Sequence, residues 1–509
     1  MNNYSGYLIP LCALGLVACG GGSGSPSATN PGTSSPVAQA SSVQVLSSAV
    51  SDSSSSAPAS VVSLSSAAVS SAAEQQVPAG NPGLRNADGS LHKPHSIAAP
   101  TKIIDVVARA AELGHSIDLT DSASDDQAAI EAVLKDAQTT AATQVYFPAG
   151  IYNIRSISLP KSDLQLQGKS RDETIFKSSL HNEGTSLNIY GKNNILIRSI
   201  TFTSNWSGNY STDTSVNNPE VGGPKYAIAT GANSYNITLD DLLLEKFSRM
   251  GVRIAAGSHD VIVKNSVARN ATDVAGGGAG YGFVIQGPTH TNAAQNPYLG
   301  DPLQDTYFNI LENNTSDSPY IRHAVIVQYW AHNNLITGNH FDETRLDAID
   351  LHGEDEYANE ISHNRITNSQ RAGIALGNSG AGHDKTGIDN WIHHNSIERS
   401  AWGITVQYGT AYSTIENNTI RENNSLTQAP ICAIRLGSSS HSLLRNNQIV
   451  ENLVAGHVGI YLTDDNAEGD EPKAGPSNWV ISGNRIINSG EEFKNTSTLA
   501  ADNNIQASW

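Results

Sequence analysis

The chain has 509 residues, of which 15% are charged and 6% aromatic, with 44 Gly and 46 Asn. So little charge excludes a coiled coil or helical bundle, which would be rich in Glu, Lys, Leu and Ala. Thirty Lys and Arg against 48 Asp and Glu leave a net charge of −18, which argues against nucleic acid as a partner, because phosphate binding needs a basic surface.

Leu8 to Ala18 is an apolar run too short to cross a bilayer as a mature helix. It ends in Leu16, Val17, Ala18, Cys19 and Gly20, which resembles a bacterial lipoprotein lipobox. That resemblance implies a signal peptide over 1–19, lipid on Cys19, export, and attachment to the outer membrane through the lipid alone. Between Ser41 and Ser71, 15 of 31 residues are Ser. Such a stretch cannot bury enough apolar surface to offset its ordering entropy, so 20–90 reads as a flexible tether. Residues 91–509 read as one folded catalytic domain and as a monomer. Cys432 is the cysteine left in it, flanked by Ile431 and Ala433, and is expected as a buried packing residue without a disulfide.

Asp121 to Gln138 predicts an N-capped amphipathic helix, with Ala129, Ile130, Val133 and Leu134 on one face. Val145 to Tyr152 then predicts a strand and turn. This helix followed by Tyr146, Phe147, Pro148, Ala149, Gly150, Ile151 and Tyr152 is similar to the N-terminal cap of the pectate-lyase-like superfamily.

From Gly251 a repeat sets in. Its first half is a small residue followed by alternating aliphatic and variable residues: Ala324 to Gln328, Ala348 to His352, Gly373 to Gly377, Gly403 to Gln407, Ala433 to Gly437 and Gly459 to Thr463. Its second half is an Asn before an apolar strand: Asn339, Asn364, Asn395, Asn418, Asn447 and Asn484, with Asn265 and Asn314 extending the column. One repeat cannot bury its apolar face alone, so the repeats must stack. The expected fold is all-β, a right-handed parallel β-helix with a capping helix. The Asn column is expected at tight turns, where Asn tolerates left-handed backbone and its amides bond one another. Eight rungs at about 4.8 Å give roughly 38 Å.

Stacking turns sequence positions into neighbours. Asp350 and His352 project from one strand, with Gln328 one rung to one side and Gln407 two rungs to the other. His323 and Asp347 should lie on adjacent rungs. Arg322, Arg345 and Arg371 come from three consecutive turns. Tyr329, Trp330, Glu354 and Tyr408 follow the strands. This patch brings His, carboxylate, Arg, amide and aromatic groups together and is the strongest functional signal in the sequence. The pair His393 and His394 reads as structural. The acidic loop from Asp464 to Glu471 offers oxygen ligands for Ca²⁺ but lacks EF-hand spacing. Ca²⁺ is thus the one cofactor to consider, and no metal ligand is assigned in the groove.

Asp347 to His352 followed by Asn364 resembles the Asp-Pro-His region of mannuronan C5-epimerases, with Leu351 in place of the Pro and Asp347 where the family has a Tyr. The tail from Asn447 through Leu462 to Asn484 is similar to that family's closing coils. The resemblance, like that to alginate lyases, implies a polysaccharide substrate and C5-proton chemistry on a uronic-acid polymer. His352 or His323 would be the base, Tyr329 the acid, and Asp350 would orient His352. Arg345, Arg322, Arg371, Gln328 and Gln407 would bind substrate. A glycoside hydrolase using Asp350 with Asp347 or Glu354 is the alternative. A non-catalytic binding module with Trp330, Tyr329 and Tyr408 as sugar platforms is the third reading.

Overall fold

The computed structural model describes residues 76–506, apart from 95, 123, 138–141, 288–304, 354–355, 378–386, 424–430, 451–455 and 467–471. Three long parallel sheets of 16, 12 and 12 strands wind around one core, and each strand pairs with its equivalent in the next coil. Ile349–Leu351, for example, pairs with His323–Gln328 on one side and with Ala372–Leu376 on the other. This is the parallel β-helix that the repeat predicts.

The sheet that carries the site runs from Ile157–Ser158 to Glu491–Asn495 in twelve strands, or about 53 Å at 4.8 Å per step. Its second and third strands, His181–Tyr190 and Gly223–Gly231, are longer and lack the small-aliphatic signature, so the repeat understates the coil. Val325, Ile349, Ile374, Ile404, Ile434 and Ile460 stack inside it in register and are fully buried. Each such side chain contributes about 1.5–3 kcal/mol through burial. Cys432 is buried in the same sheet, and burial pushes its thiol up to about 12.

Among the described residues, two helices join this core. Val106–Glu112, which the sequence reading missed, is capped by Asp105, whose carboxylate accepts from the Val107 and Ala108 N–H groups. Gln127–Asp136 buries Ala129, Ile130, Val133 and Leu134 as expected. It begins later than predicted, because the Asp126 carboxylate is held by the N–H groups of Asp118 and Asn153. The compact unit begins at Val77, so it includes 77–90, ahead of the expected start at 91. That segment is bound to the outside of the coil: Gly83 N–H donates to Ala358, and the Asn333 amide donates to the Asn81 carbonyl.

The Asn column is continuous from Asn314 through Asn339, Asn364, Asn395, Asn418 and Asn447 to Asn484. Each Oδ1 accepts from the backbone N–H and the side-chain amide of the preceding member, at 2.8–3.1 Å. Two expectations need correction. The left-handed residue is the one before each ladder Asn: Asn313, Gly338, His363, His394, Asn417, Asn446 and Gly483 all have positive φ. The turn needs that conformation to aim the next side chain inward. Asn265 is one of these left-handed residues, and Ser266 stands at the head of the ladder, its N–H bonded to Asn314. A second ladder, Asn309, Asn334, Asn359 and Asn390, runs through another corner.

Candidate active site

The register places Ile326, Asp350, Ala375, Thr405 and Arg435 in one outward column and Gln286, Gln328 and His352 in a second. Asp350 Oδ2 lies 3.0 Å from His352 Nδ1. A carboxylate accepts, so Nδ1–H donates and Nε2 is the basic nitrogen. His352 is 24% exposed, whereas Asp350 is fully buried. Burial raises the Asp350 carboxyl, but the charge and hydrogen bond of His352 outweigh it and hold Asp350 below the usual carboxylate range.

His323 is buried, 3.7 Å from Asp350 and 3.8 Å from Asp347. Burial drives its pKa well below the ordinary value against the pull of Asp350, so His323 is neutral. Its Nδ1 has no hydrogen-bond partner. Asp347 is fully buried: Arg371 holds both its oxygens, and the Ala372 N–H adds a third bond at 2.9 Å. His323, Asp347 and Asp350 bring one ligand atom each within 4.8 Å of one another, the geometry a metal ion would need. Arg371 already balances the Asp347 charge.

These facts revise the sequence expectations. Asp347, Asp350 and His323 are all buried, with His352 bonded to Asp350, Arg371 to Asp347, and the Tyr281 ring edge-on to His323. Arg371 is locked to Asp347, and Arg322 donates to the Thr214 and Val274 carbonyls, so neither is presented to a ligand. Arg345 is half-buried and its Nε lacks a hydrogen-bond partner. Trp330, at 6% exposure, cannot serve as a sugar platform. Gln407 accepts from Arg435 at 2.6 Å, and Tyr408 is half-buried at a left-handed turn. At Gly377 the backbone approaches the next coil closely; a Cβ there would meet the Gln407 carbonyl at 2.1 Å. His393 stacks on Trp391, and His394 on His363. Glu354 and the lipobox Cys19 fall outside the described residues. Of the acidic loop, Asp464 is bound by Ser497 and Thr498, Asp465 pairs with Arg435, and 467–471 lie outside the description.

His352, Gln328 and Tyr329 do share a cavity of about 430 Å³, with Gln286, Tyr281, Met250, Tyr226, Arg249 and Arg253. Sequence reasoning missed the last two. The Arg253 guanidinium lies 5.1 Å over the Tyr226 ring, and Arg249 donates to the Gly277 carbonyl. Neither makes an ion pair among the described residues. The signal was there in Gly251 to Arg253, a weak copy of the repeat whose third position is an Arg.

Residues 118–318 match the family model described as rhamnogalacturonase A/epimerase, pectate lyase-like, and residues 304–507 match the periplasmic copper-binding protein (NosD) model. No curated protein matches the sequence. Among solved structures, the Dettilon tailspike protein is 13% identical, with 77% of this chain and 68% of that one aligned and a TM-score of 0.56. The DFA-IIIase of Arthrobacter chlorophenolicus A6 in complex with GF2 is 12% identical over 81% and 99% of the two chains, with a TM-score of 0.51. An alginate lyase from Paenibacillus sp. str. FPU-7 is 12% identical over 66% and 97%, with a TM-score of 0.47. The chain is thus a parallel β-helix whose residues 118–318 are similar to a pectate lyase-like family model.

Proposed function

We propose that this chain is an exported enzyme that abstracts the C5 proton of a uronic-acid polymer, acting as a lyase, with C5-epimerase as the variant outcome. The observation that carries the reading is His352, oriented by a buried anionic Asp350 and opening on a groove that also holds Tyr329 and Gln328. His352 Nε2 takes the C5 proton, and Asp350 stabilises the imidazolium that forms. The electron pair left on C5 spreads into the C6 carboxylate, where the Gln328 amide donates to the developing charge. In the lyase the pair then forms the C4–C5 double bond, the C4–O4 bond breaks, and Tyr329 gives its proton to the leaving oxygen. In the epimerase Tyr329 returns a proton to C5 from the other face. The periplasmic family model and the leader sequence support export, and the lipid on Cys19 supplies the membrane attachment.

The hydrolase reading is weaker, because its two carboxylates must flank the scissile bond. Asp347 and Asp350 are both fully buried, and Arg371 holds Asp347. Incubation with alginate, polygalacturonate and neutral glycans separates the outcomes. New ultraviolet absorbance from an unsaturated uronate supports the lyase, and solvent exchange at C5 without cleavage supports the epimerase. Reducing ends without absorbance refute both. His352→Ala should abolish turnover and leave the fold intact, since the side chain sits at the groove rim.

A further inference from the structure

The cavity that reaches His352 continues well past it. In the outward column, Arg253 pairs in register with Val284, Val284 with Ile326, and Ile326 with Asp350. Arg253 is therefore three rungs from Asp350, or about 14 Å. Val284 and Ile326 between them are buried and pack with Met250 and Tyr281, so the intervening floor is apolar. Arg249 and Arg253 both face the cavity without a carboxylate partner among the described residues. Gln286 lines it too, at 4% exposure, and its Oε1 has no hydrogen-bond partner. A buried acceptor left unmet calls for a donor from outside the chain. Two uncompensated guanidiniums call for an anion.

We propose that Arg249, Arg253 and Gln286 form an anionic-sugar subsite remote from the reacting unit, holding the carboxylate and a hydroxyl of a second uronate on the same polymer. A pyranose with its glycosidic oxygen spans about one rung, so that uronate lies about three units from the one facing His352. Tyr281 and Met250 supply the apolar floor under the sugars between. The subsite makes the enzyme one for long chains, and it rests on the uronate reading given above. Arginines are the groups that separate acidic from neutral polymers here, since Gln286, Gln328 and the apolar floor would accept either.

The test uses the full chain with His352→Ala, so that probes are not consumed, and measures the affinity of alginate and polygalacturonate oligomers of increasing length. Neutral cello-oligosaccharides serve as the comparison. Affinity for the uronates should step up when the chain becomes long enough to reach from His352 to Arg253. Arg249→Gln with Arg253→Gln should remove that step, weakening long oligomers at least about tenfold and short ones little. The single Arg253→Lys should recover part of it. Equal affinity of the double variant for long uronates, or the same length dependence for cello-oligosaccharides, overturns the subsite. Arginine-dependent binding by a wild-type enzyme that yields neither unsaturated product nor C5 exchange refutes the catalytic reading and leaves the subsite standing.

Discussion

Asp350→Asn is the substitution that asks most of the proposed chemistry. The carboxylate is fully buried and bonds His352 Nδ1 at 3.0 Å. Asn has the same shape, so packing against the strand is preserved while the charge is lost. A hydrogen bond to a charged group is worth about 1.5–3 kcal/mol. Most of that is realised when His352 carries the abstracted proton, so it should vanish from the transition state and not from substrate binding. The expected loss in kcat/KM is about 10- to 150-fold, carried by kcat with KM nearly unchanged. A second sign is independent of size. Removing the anion beside the imidazole makes protonation of His352 less favourable, so the acidic limb of the pH profile should move to lower pH. Kinetics on the best uronate polymer, followed by absorbance or by C5 exchange, read both. Full activity with an unmoved limb would mean that Asp350 does not act through His352, and the assignment would fall.

Asn364→Ala removes one rung of the ladder. It strips the Asn339 N–H and amide of their acceptor and the Ile336 carbonyl of its donor, all buried. At roughly 1–3 kcal/mol per orphaned group, the loss should be about 3–9 kcal/mol, read as a lower denaturant midpoint; a change under about 1 kcal/mol would contradict a structural ladder. Asp350 also predicts acid behaviour. Its folded pKa is depressed, so its contribution is complete above the ordinary value of 3.8 and is lost as pH falls through the lower folded value. The wild type should therefore lose more stability than Asp350→Asn between neutral pH and about pH 2, and parallel losses would refute this. Cys432, with its thiol near 12, should resist alkylation at mildly alkaline pH until the chain unfolds; peptide mapping before and after denaturation checks it.

The sequence disclosed the fold because a period-two strand and a recurrent Asn leave few ways to bury the apolar face. It disclosed the pairing of Asp350 with His352, and the approach of His323 to Asp347, because register alone determines them. It could not disclose depth. Asp350 faces outward by alternation and Asp347 stands just before the strand, yet both are buried, bonded to His352 and Arg371, and such burial depends on side-chain direction. The same limit hid the fate of Arg371 and Arg322, whose partners come from other coils. It also hid Arg249 and Arg253, which lie in the irregular lower rungs where the repeat is weak. Turn geometry misled in a smaller way: a recurrent Asn looks like a left-handed residue, but here the preceding residue takes that role and frees the Asn amide for the ladder.

Net charge and local charge make opposite demands on an acidic polymer, and ionic strength decides between them. At −18 the protein as a whole repels a polyanion. Many of its carboxylates are nonetheless compensated, as Asp136 is by Arg109, Asp240 by Arg198 and Glu416 by Arg445. Arg249 and Arg253 have no carboxylate partner among the described residues. At about 0.01 M salt the Debye length is about 30 Å, so the polymer feels the whole molecule. Near 0.15 M it shrinks to about 8 Å, and only groups lining the groove still act. At about 1 M even the guanidiniums are screened. Affinity for a long uronate oligomer should therefore pass through a maximum near physiological salt, and the double arginine variant should lose the falling branch above it. Titrations at three salt concentrations suffice. An affinity that falls steadily from the lowest salt upward would show that the arginine pair dominates even at long range, and that the acidic balance of the chain is irrelevant to its substrate.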